Sequence, residues 1–296
     1  MTTAIRRAES GAETSPETLA VTCYRRTWRL VAATLVAASA AGILLVLARI
    51  VLVDDPPLTV IPLVVLAVTL IVVPRAIAAL FRRSFAAQVG VEGDTVVITR
   101  RDLRLEMPRH AIVAVEPWTV PLPSAGAALR LRSGAPFGWE LGLAAPRQLA
   151  RFLAERADAG ARTDLADAGF LHADARGAAG TLRWWQWLLK FPVLALLPTG
   201  VLFNAHQWIA YGGTFGEYYQ YGARPYVLTF LDYWTTVTIY LALWAGVWRL
   251  LAEVVAWLAA RLAPGATVGV RRAVEVGCRL LYYGGVPALL ALRFMS

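Results

Sequence analysis

The chain has 296 residues, of which 58% are hydrophobic and only 17% charged, with a mean hydropathy of +0.54. Soluble domains run at about 45–50% apolar and about 25% charged. The composition therefore excludes an ordinary soluble domain, a disordered chain and a disulfide-dense secreted module. The formal net charge of +9 gathers beside apolar segments rather than in the polar middle, which predicts an oriented polytopic membrane protein and argues against nucleic acid as a partner.

Residues 1–29 read as a flexible cytoplasmic tail ending in a basic aromatic collar, Tyr24-Arg25-Arg26-Thr27-Trp28-Arg29. Residues 30–83 read as a transmembrane hairpin. Its first span runs from Leu30 to Val53, the turn is Asp54-Asp55-Pro56-Pro57, and the second span, from Leu58 to about Leu80, closes on Arg82-Arg83. At about 1.5 Å per residue the first span reaches about 36 Å, enough to cross a bilayer core with tilt. Bases at both outer ends and acids at the turn place the N-terminus in the cytoplasm. Arg49 and Arg75 lie near span ends, where long side chains snorkel.

The period changes after Phe85. Short β-branched or alternating runs occupy 94–99, 103–107, 111–115, 129–132 and 137–143, separated by turn signals such as Glu92-Gly93-Asp94 and Ser133-Gly134-Ala135-Pro136. A helix then opens at Pro146 and carries Leu149, Phe152 and Leu153 on one face. Residues 84–157 are thus expected to form a small antiparallel β domain capped by a C-terminal helix. Residues 158–182, rich in Ala, Gly and Asp, read as a linker.

The stretches VEGDTVVITRRDLRLEMPRHAIVAVEPW and ALRLRSGAPFGWELGLAAPRQLARFLAE, with Met107-Pro108-Arg109-His110-Ala111-Ile112 at a Pro-basic turn before a strand, follow directly on two spans. In this the region from about residue 30 to 157 resembles the membrane-anchored bacterial pleckstrin-homology-like family. The resemblance implies about seven short strands with a closing helix, and a role as scaffold or assembly factor. It carries over no binding residues.

Residues 183–296 read as a C-terminal transmembrane domain of about three helices. Arg183-Trp184-Trp185-Gln186-Trp187 is an interfacial belt, and a third span reaches about Ile209 with Pro192 and Pro198 inside it. A loop dense in Tyr and Gly occupies 211–226 and is expected outside. A fourth span runs from Val227 to about Leu250 and continues as an amphipathic stretch through Trp257 to Arg261. Pro264-Gly265 breaks it, and Arg261, Arg271 and Arg272 place that loop in the cytoplasm. A fifth apolar stretch, 273–294, contains Glu275, Arg279 and Gly284-Gly285, so that it either spans or forms a short, broken or re-entrant segment.

No nucleotide-binding loop, HExxH, nucleophile elbow or CxxC occurs. Cys23 and Cys278 read as small apolar filler, and His110 and His172 as solvated surface residues. One group stands out at the external ends of spans three and four: His206, Glu217, Asp232 and Tyr233. An antiparallel hairpin could converge them. The readings open for them are a structural His–Asp pair, contact with a quinone head group or other ligand, or a divalent metal. Two charge pairs at helical spacing, Arg249 with Glu253 and Glu275 with Arg279, either neutralise themselves or are solvated at the interface, cross-pair (Arg249 with Glu275, Glu253 with Arg279) to staple spans four and five, or form a docking seam for another subunit or a proton path. Lys190 is expected to snorkel.

These features point to a non-catalytic accessory, scaffold or assembly subunit of a larger bacterial inner-membrane complex. It would be multi-pass, with its N-terminus and β domain cytoplasmic, and partnered by the bilayer and other membrane subunits. The alternatives are a transporter or lipid- or quinone-handling protein, or a membrane enzyme built on His206, Glu217 and Asp232. A transporter would want midplane charges or inverted repeats, and the two halves show neither. No cofactor is specified.

Overall fold

A computed structural model describes residues 18–52, 59–101, 103–134, 136–154, 164–178 and 183–295. The acidic turn at 54–57, the tail before residue 18 and parts of the expected linker lie outside them. Seven strands form one antiparallel sheet: β1 (Leu19–Arg25), β2 (Ala86–Glu92), β3 (Thr95–Arg100), β4 (Leu103–Pro108), β5 (Ile112–Pro117), β6 (Gly126–Leu131) and β7 (Pro136–Gly142). Their order across the sheet is β4-β3-β2-β1-β7-β6-β5.

That order forces curvature. Strands β4 and β5 are the two edges, yet only Arg109–Ala111 separates them. The edges of a flat seven-stranded sheet would stand about 29 Å apart, whereas the connection reaches only about 14 Å. The sheet must therefore curl into a barrel-like shape. Its interior holds Val21, Cys23, Val89, Ile98, Leu129 and Leu141. Helix α3 (Pro146–Ala154) packs Leu149, Phe152 and Leu153 into the same core, as its amphipathic spacing predicts.

The first strand departs from expectation. Residues 19–25, assigned to a flexible tail and collar, form the central strand of the sheet, pairing Val21 with Ala87 on one side and Cys23 with Leu141 on the other. Leu19, Val21 and Cys23 alternate toward the core, but so short a run is readable only once its two neighbours are known. The β domain is consequently discontinuous. The membrane hairpin is inserted between two paired strands, with no residue between Arg25 and helix α1 (Arg26–Leu52) and one residue, Phe85, between α2 (Val60–Ser84) and β2. Aromatic rings fill this junction: Trp28 lies 5.5 Å from Phe81, and Tyr24 lies 5.3 Å from Phe85. Arg29 donates to Glu140 at 2.5 Å and lies over the Trp118 ring.

Among the described residues, four helices are long and apolar enough to cross a membrane: α1, α2, α5 (Trp185–Tyr211) and α7 (Ala223–Leu262). The two expected spans of the hairpin and the expected third and fourth spans correspond to them. Within α1 and α2, Gly42 lets the backbones meet, since a Cβ there would lie 2.4 Å from the Leu70 carbonyl oxygen. Pro74 has no N–H to donate to that carbonyl, and the turn before it loosens to a π-helix over Val68–Val72. Ser39 Oγ donates to the Ile71 carbonyl at 3.0 Å. Pro192 has the same effect in α5, where Leu189–Val193 is a π-helix; Trp234 Nε1 donates to the Pro192 carbonyl at 2.8 Å and Tyr282 Oη to that of Lys190 at 3.0 Å. Neighbouring helices thus donate to carbonyls in and beside the loosened turns.

Helix α7 is central. Leu243 packs with Val46 and Leu63 of the hairpin, and Leu241 packs with Phe191 of α5 and Tyr282. Its 40 residues span about 60 Å, twice a bilayer core, so its last third extends toward the barrel. There Arg261 stacks on Trp257, and both donate to the Thr119 carbonyl. The fifth apolar stretch is one continuous helix, α8 (Thr267–Met295), rather than a broken segment. It is not among the four apolar spans; its first half bears Arg271, Arg272, Glu275 and Arg279.

Two expectations follow. A fragment of residues 84–160, lacking the central strand, should remain unfolded by circular dichroism and amide-proton dispersion. Replacing residues 26–84 by a short hairpin turn, so that β1 leads directly into β2, should restore a cooperative melt. The second concerns pH. Burial pushes the Cys23 thiol up to about 11 against a weaker opposing pull from Arg100, and burial also raises the Tyr24 phenol. Both groups favour the folded barrel while protonated, so that contribution is present below the unfolded thiol value near 9 and is lost as pH climbs through 11. The melting temperature of the same barrel should fall between pH 9 and 11, and Cys23→Ala should flatten the lower part of that fall.

Candidate functional site

Residues 168–178, expected to be linker, form helix α4 (Ala168–Ala178). The segment reads as linker because Ala, Gly and Asp hide its two faces, yet each face is used. Asp167 caps the start, accepting from the Gly169 backbone N–H at 2.7 Å. Phe170 enters the barrel core, and Asp174 pairs with Arg147 of α3 at 2.7 Å. On the other face His172, expected on the surface, is 2% exposed. It points its Nε2 toward Glu253 of α7, 3.5 Å away.

Glu253 is the meeting point of three helices. Arg271 of α8 donates to both of its oxygens, at 2.9 and 3.4 Å. Arg176 of α4 approaches at 3.7 Å. Arg271 also donates to Glu275 at 3.0 Å, and Arg279 lies 3.9 Å from that carboxylate. An ionic link between α7 and α8 is present, but it is made by Arg271 and not by the expected cross-pairs. Glu253 does not pair with Arg249 or Arg279, and Arg249 does not reach Glu275: among the described residues Arg249 has no carboxylate within 4 Å. A planar guanidinium with five donors can serve two carboxylates at once, which the local i,i+4 spacing of Arg249 and Glu253 does not reveal. The spacing of Arg271 and Glu275 was the available clue.

Beside this network a groove of about 510 Å³ opens between α4, α5, α7 and α8. Five cations line it: Arg176, Lys190, Arg249, Arg271 and Arg279. Only one carboxylate, Glu275, joins them in the lining, with Glu253 behind. The remaining wall combines the aromatic Trp187, Phe191, Trp248 and Tyr282 with small residues, mainly of α7. Lys190 Nζ sits 4.9 Å from the Tyr282 ring centroid and 5.6 Å from that of Phe191. Trp248, also in the wall, has a buried indole N–H with no acceptor among the described residues.

At the opposite end of the bundle His206 and Tyr233, two of the four external candidates, meet, while Glu217 and Asp232 are placed differently. Glu217, on the short helix α6 (Gly216–Tyr221), is buried and accepts from Gln207 Nε2 and Thr229 Oγ1, each at 2.7 Å. Its own backbone N–H donates to Gln207 Oε1 at 3.1 Å. His206 lies against rings, 5.4 Å from Tyr233 and 5.9 Å from Tyr211. Asp232 is exposed; it lies one residue from Tyr233, about 100° around the helix, and so leaves that face. The expected His206–Asp232 pair is replaced by His206–Tyr233. Among the described residues no group of three or more His, Cys, Asp or Glu could hold a metal ion. Gln207 and Thr229, which organise Glu217, carry no sequence signal of that role. Cys23 in the barrel core and Cys278 on α8 are free thiols.

Compared with models of protein families, with curated proteins and with solved structures, the chain matches none.

Removing one partner of the Glu253–Arg271 pair leaves the other charge buried, at a cost of about 3 kcal/mol, whereas replacing both with apolar residues of similar size is often neutral. Glu253→Ala and Arg271→Ala should each lower the melting temperature of the full chain in detergent by several degrees. The double variant Glu253→Met/Arg271→Met should recover most of the loss.

Proposed function

We propose that this chain is a non-catalytic accessory, scaffold or assembly subunit of a larger bacterial inner-membrane complex, with its N-terminus and β domain cytoplasmic. The observation that carries this reading is the set of short connections and contacts that join barrel and bundle. The barrel is tied to the spans by the strand-to-helix junctions at Arg25–Arg26 and Ser84–Ala86, by Phe170 of α4 and by the Trp257 and Arg261 contacts to Thr119. A transporter that rocks one half against the other would have to break these ties. A docking platform gains from them, because a surface held in fixed register with the membrane binds with little ordering cost.

The orientation rests on Arg82, Arg83, Arg261, Arg271 and Arg272, all near the barrel-side ends of the helices. Seven antiparallel strands closed by one C-terminal helix support kinship with the pleckstrin-homology-like family, with the membrane hairpin inserted after the first strand. The groove beside Glu253 favours a second reading, a protein that handles anionic lipid; the two are compatible.

The test is isolation of the tagged full chain from its own host in mild detergent, followed by size exclusion and quantitative mass spectrometry. The expected result is a stable set of membrane proteins in whole-number stoichiometry, lost from a variant whose barrel is deleted. A chain that elutes alone, with lipid only, would overturn the subunit reading and leave the lipid reading standing.

A further inference from the structure

We propose that the groove between α4, α5, α7 and α8 binds the phosphate of an anionic membrane lipid. The argument starts from charge left over after pairing. Arg271 is committed to Glu253 and Glu275. Arg176 and Arg279 touch those same carboxylates only at 3.7 and 3.9 Å. Among the described residues Lys190 and Arg249 have no carboxylate within 4 Å at all. Lys190 is nonetheless within electrostatic reach of both Arg249 and Arg279. Five cations against two carboxylates thus line one groove, Arg271 buried, Arg176 and Lys190 half-buried and Arg249 and Arg279 exposed, a local excess of positive charge that an anion would offset.

The chemistry of the lining selects the anion. Two arginine forks and one ammonium arriving from three different helices suit a tetrahedral oxyanion better than a single planar carboxylate. The walls select its source. Trp187, Phe191 and Tyr282 carry the groove toward the spans, giving an apolar surface for acyl or glycerol carbons. Lys190 stands five residues inside α5, about 7.5 Å along the helix, near the headgroup boundary of a bilayer. Basic pockets between membrane helices at this depth hold lipid phosphates in general. The inference does not depend on the subunit reading, since lipid binding and partner binding can each fail alone.

The experiment uses the full chain, delipidated in detergent and titrated with dioleoylphosphatidylglycerol or dioleoylphosphatidylcholine under native mass spectrometry, with melting temperature read in parallel. Phosphatidylglycerol is expected to be retained about tenfold better than phosphatidylcholine. Lys190→Gln/Arg249→Gln should remove that preference at an unchanged melting temperature. Arg279→Gln, at an exposed position, should weaken it more mildly, and Arg104→Gln on the barrel surface should leave it intact. Equal retention of the two lipids, or undiminished preference in both groove variants, overturns the proposal. Displacement of phosphatidylglycerol by millimolar inorganic phosphate with no lipid preference overturns the lipid source and assigns the site to a soluble phosphate instead.

Discussion

The pairing of β1 with both β2 and β7 governs how the two halves of this protein relate. A barrel whose central strand precedes the first membrane span can close only when the hairpin that follows has returned to the same side. Both ends of that hairpin then emerge from adjacent strands, about 5 Å apart in the pairing direction, with no slack on one side and only Phe85 on the other. The consequence is geometric: helices α1 and α2 cannot tilt independently of the sheet. The aromatic and arginine contacts of Tyr24, Trp28, Arg29, Phe81 and Phe85 fill the corner so created.

A second join, on the other flank, is ionic. Helix α4 buries Phe170 in the barrel while presenting His172 and Arg176 to Glu253, and Glu253 is itself held by Arg271. Ala252, Ala256, Ala259 and Ala260 are the buried small residues of α7 here, and they allow α4 and α8 to approach closely. Buried charge demands pairing, so the position of each helix is specified by where its charged partner lies. The same rule explains the groove. Pairing is nearly complete around Glu253 and incomplete one turn further into the bundle, around Lys190 and Arg249, and that contrast marks the place where something outside the chain is expected.

Inside the spans the constraint changes from charge to backbone. Pro74 and Pro192 each free a carbonyl and loosen the helix into a π turn, and polar side chains close to these turns donate to neighbouring carbonyls. On the far side Glu217 plays a comparable part for the loop that joins α5 to α7, drawing Gln207 and Thr229 together. These contacts give Ser39, Gln207, Glu217, Thr229 and Trp234 partners within the bundle, and Glu217 joins the loop to the ends of α5 and α7.

Composition and periodicity alone determined the membrane class, the four apolar spans, strands β3 to β7 and the amphipathic capping helix with Leu149, Phe152 and Leu153. These depend on hydrophobic patterning within a window of a few residues, which the sequence displays directly. Strand β1, helix α4 and the partners of Glu253 were decided only in three dimensions. Leu19–Arg25 is a strand because β2 and β7, distant in sequence, flank it; Ala168–Ala178 is a helix with two working faces because a barrel and a bundle lie on either side. Local spacing offered Arg249 to Glu253, but the fold brought the Arg271 guanidinium from α8 instead, and it seated His206 against Tyr233 and Glu217 against Gln207 and Thr229. Long-range pairing selects among locally equivalent partners by geometry, and geometry of that kind exists only after the chain has folded.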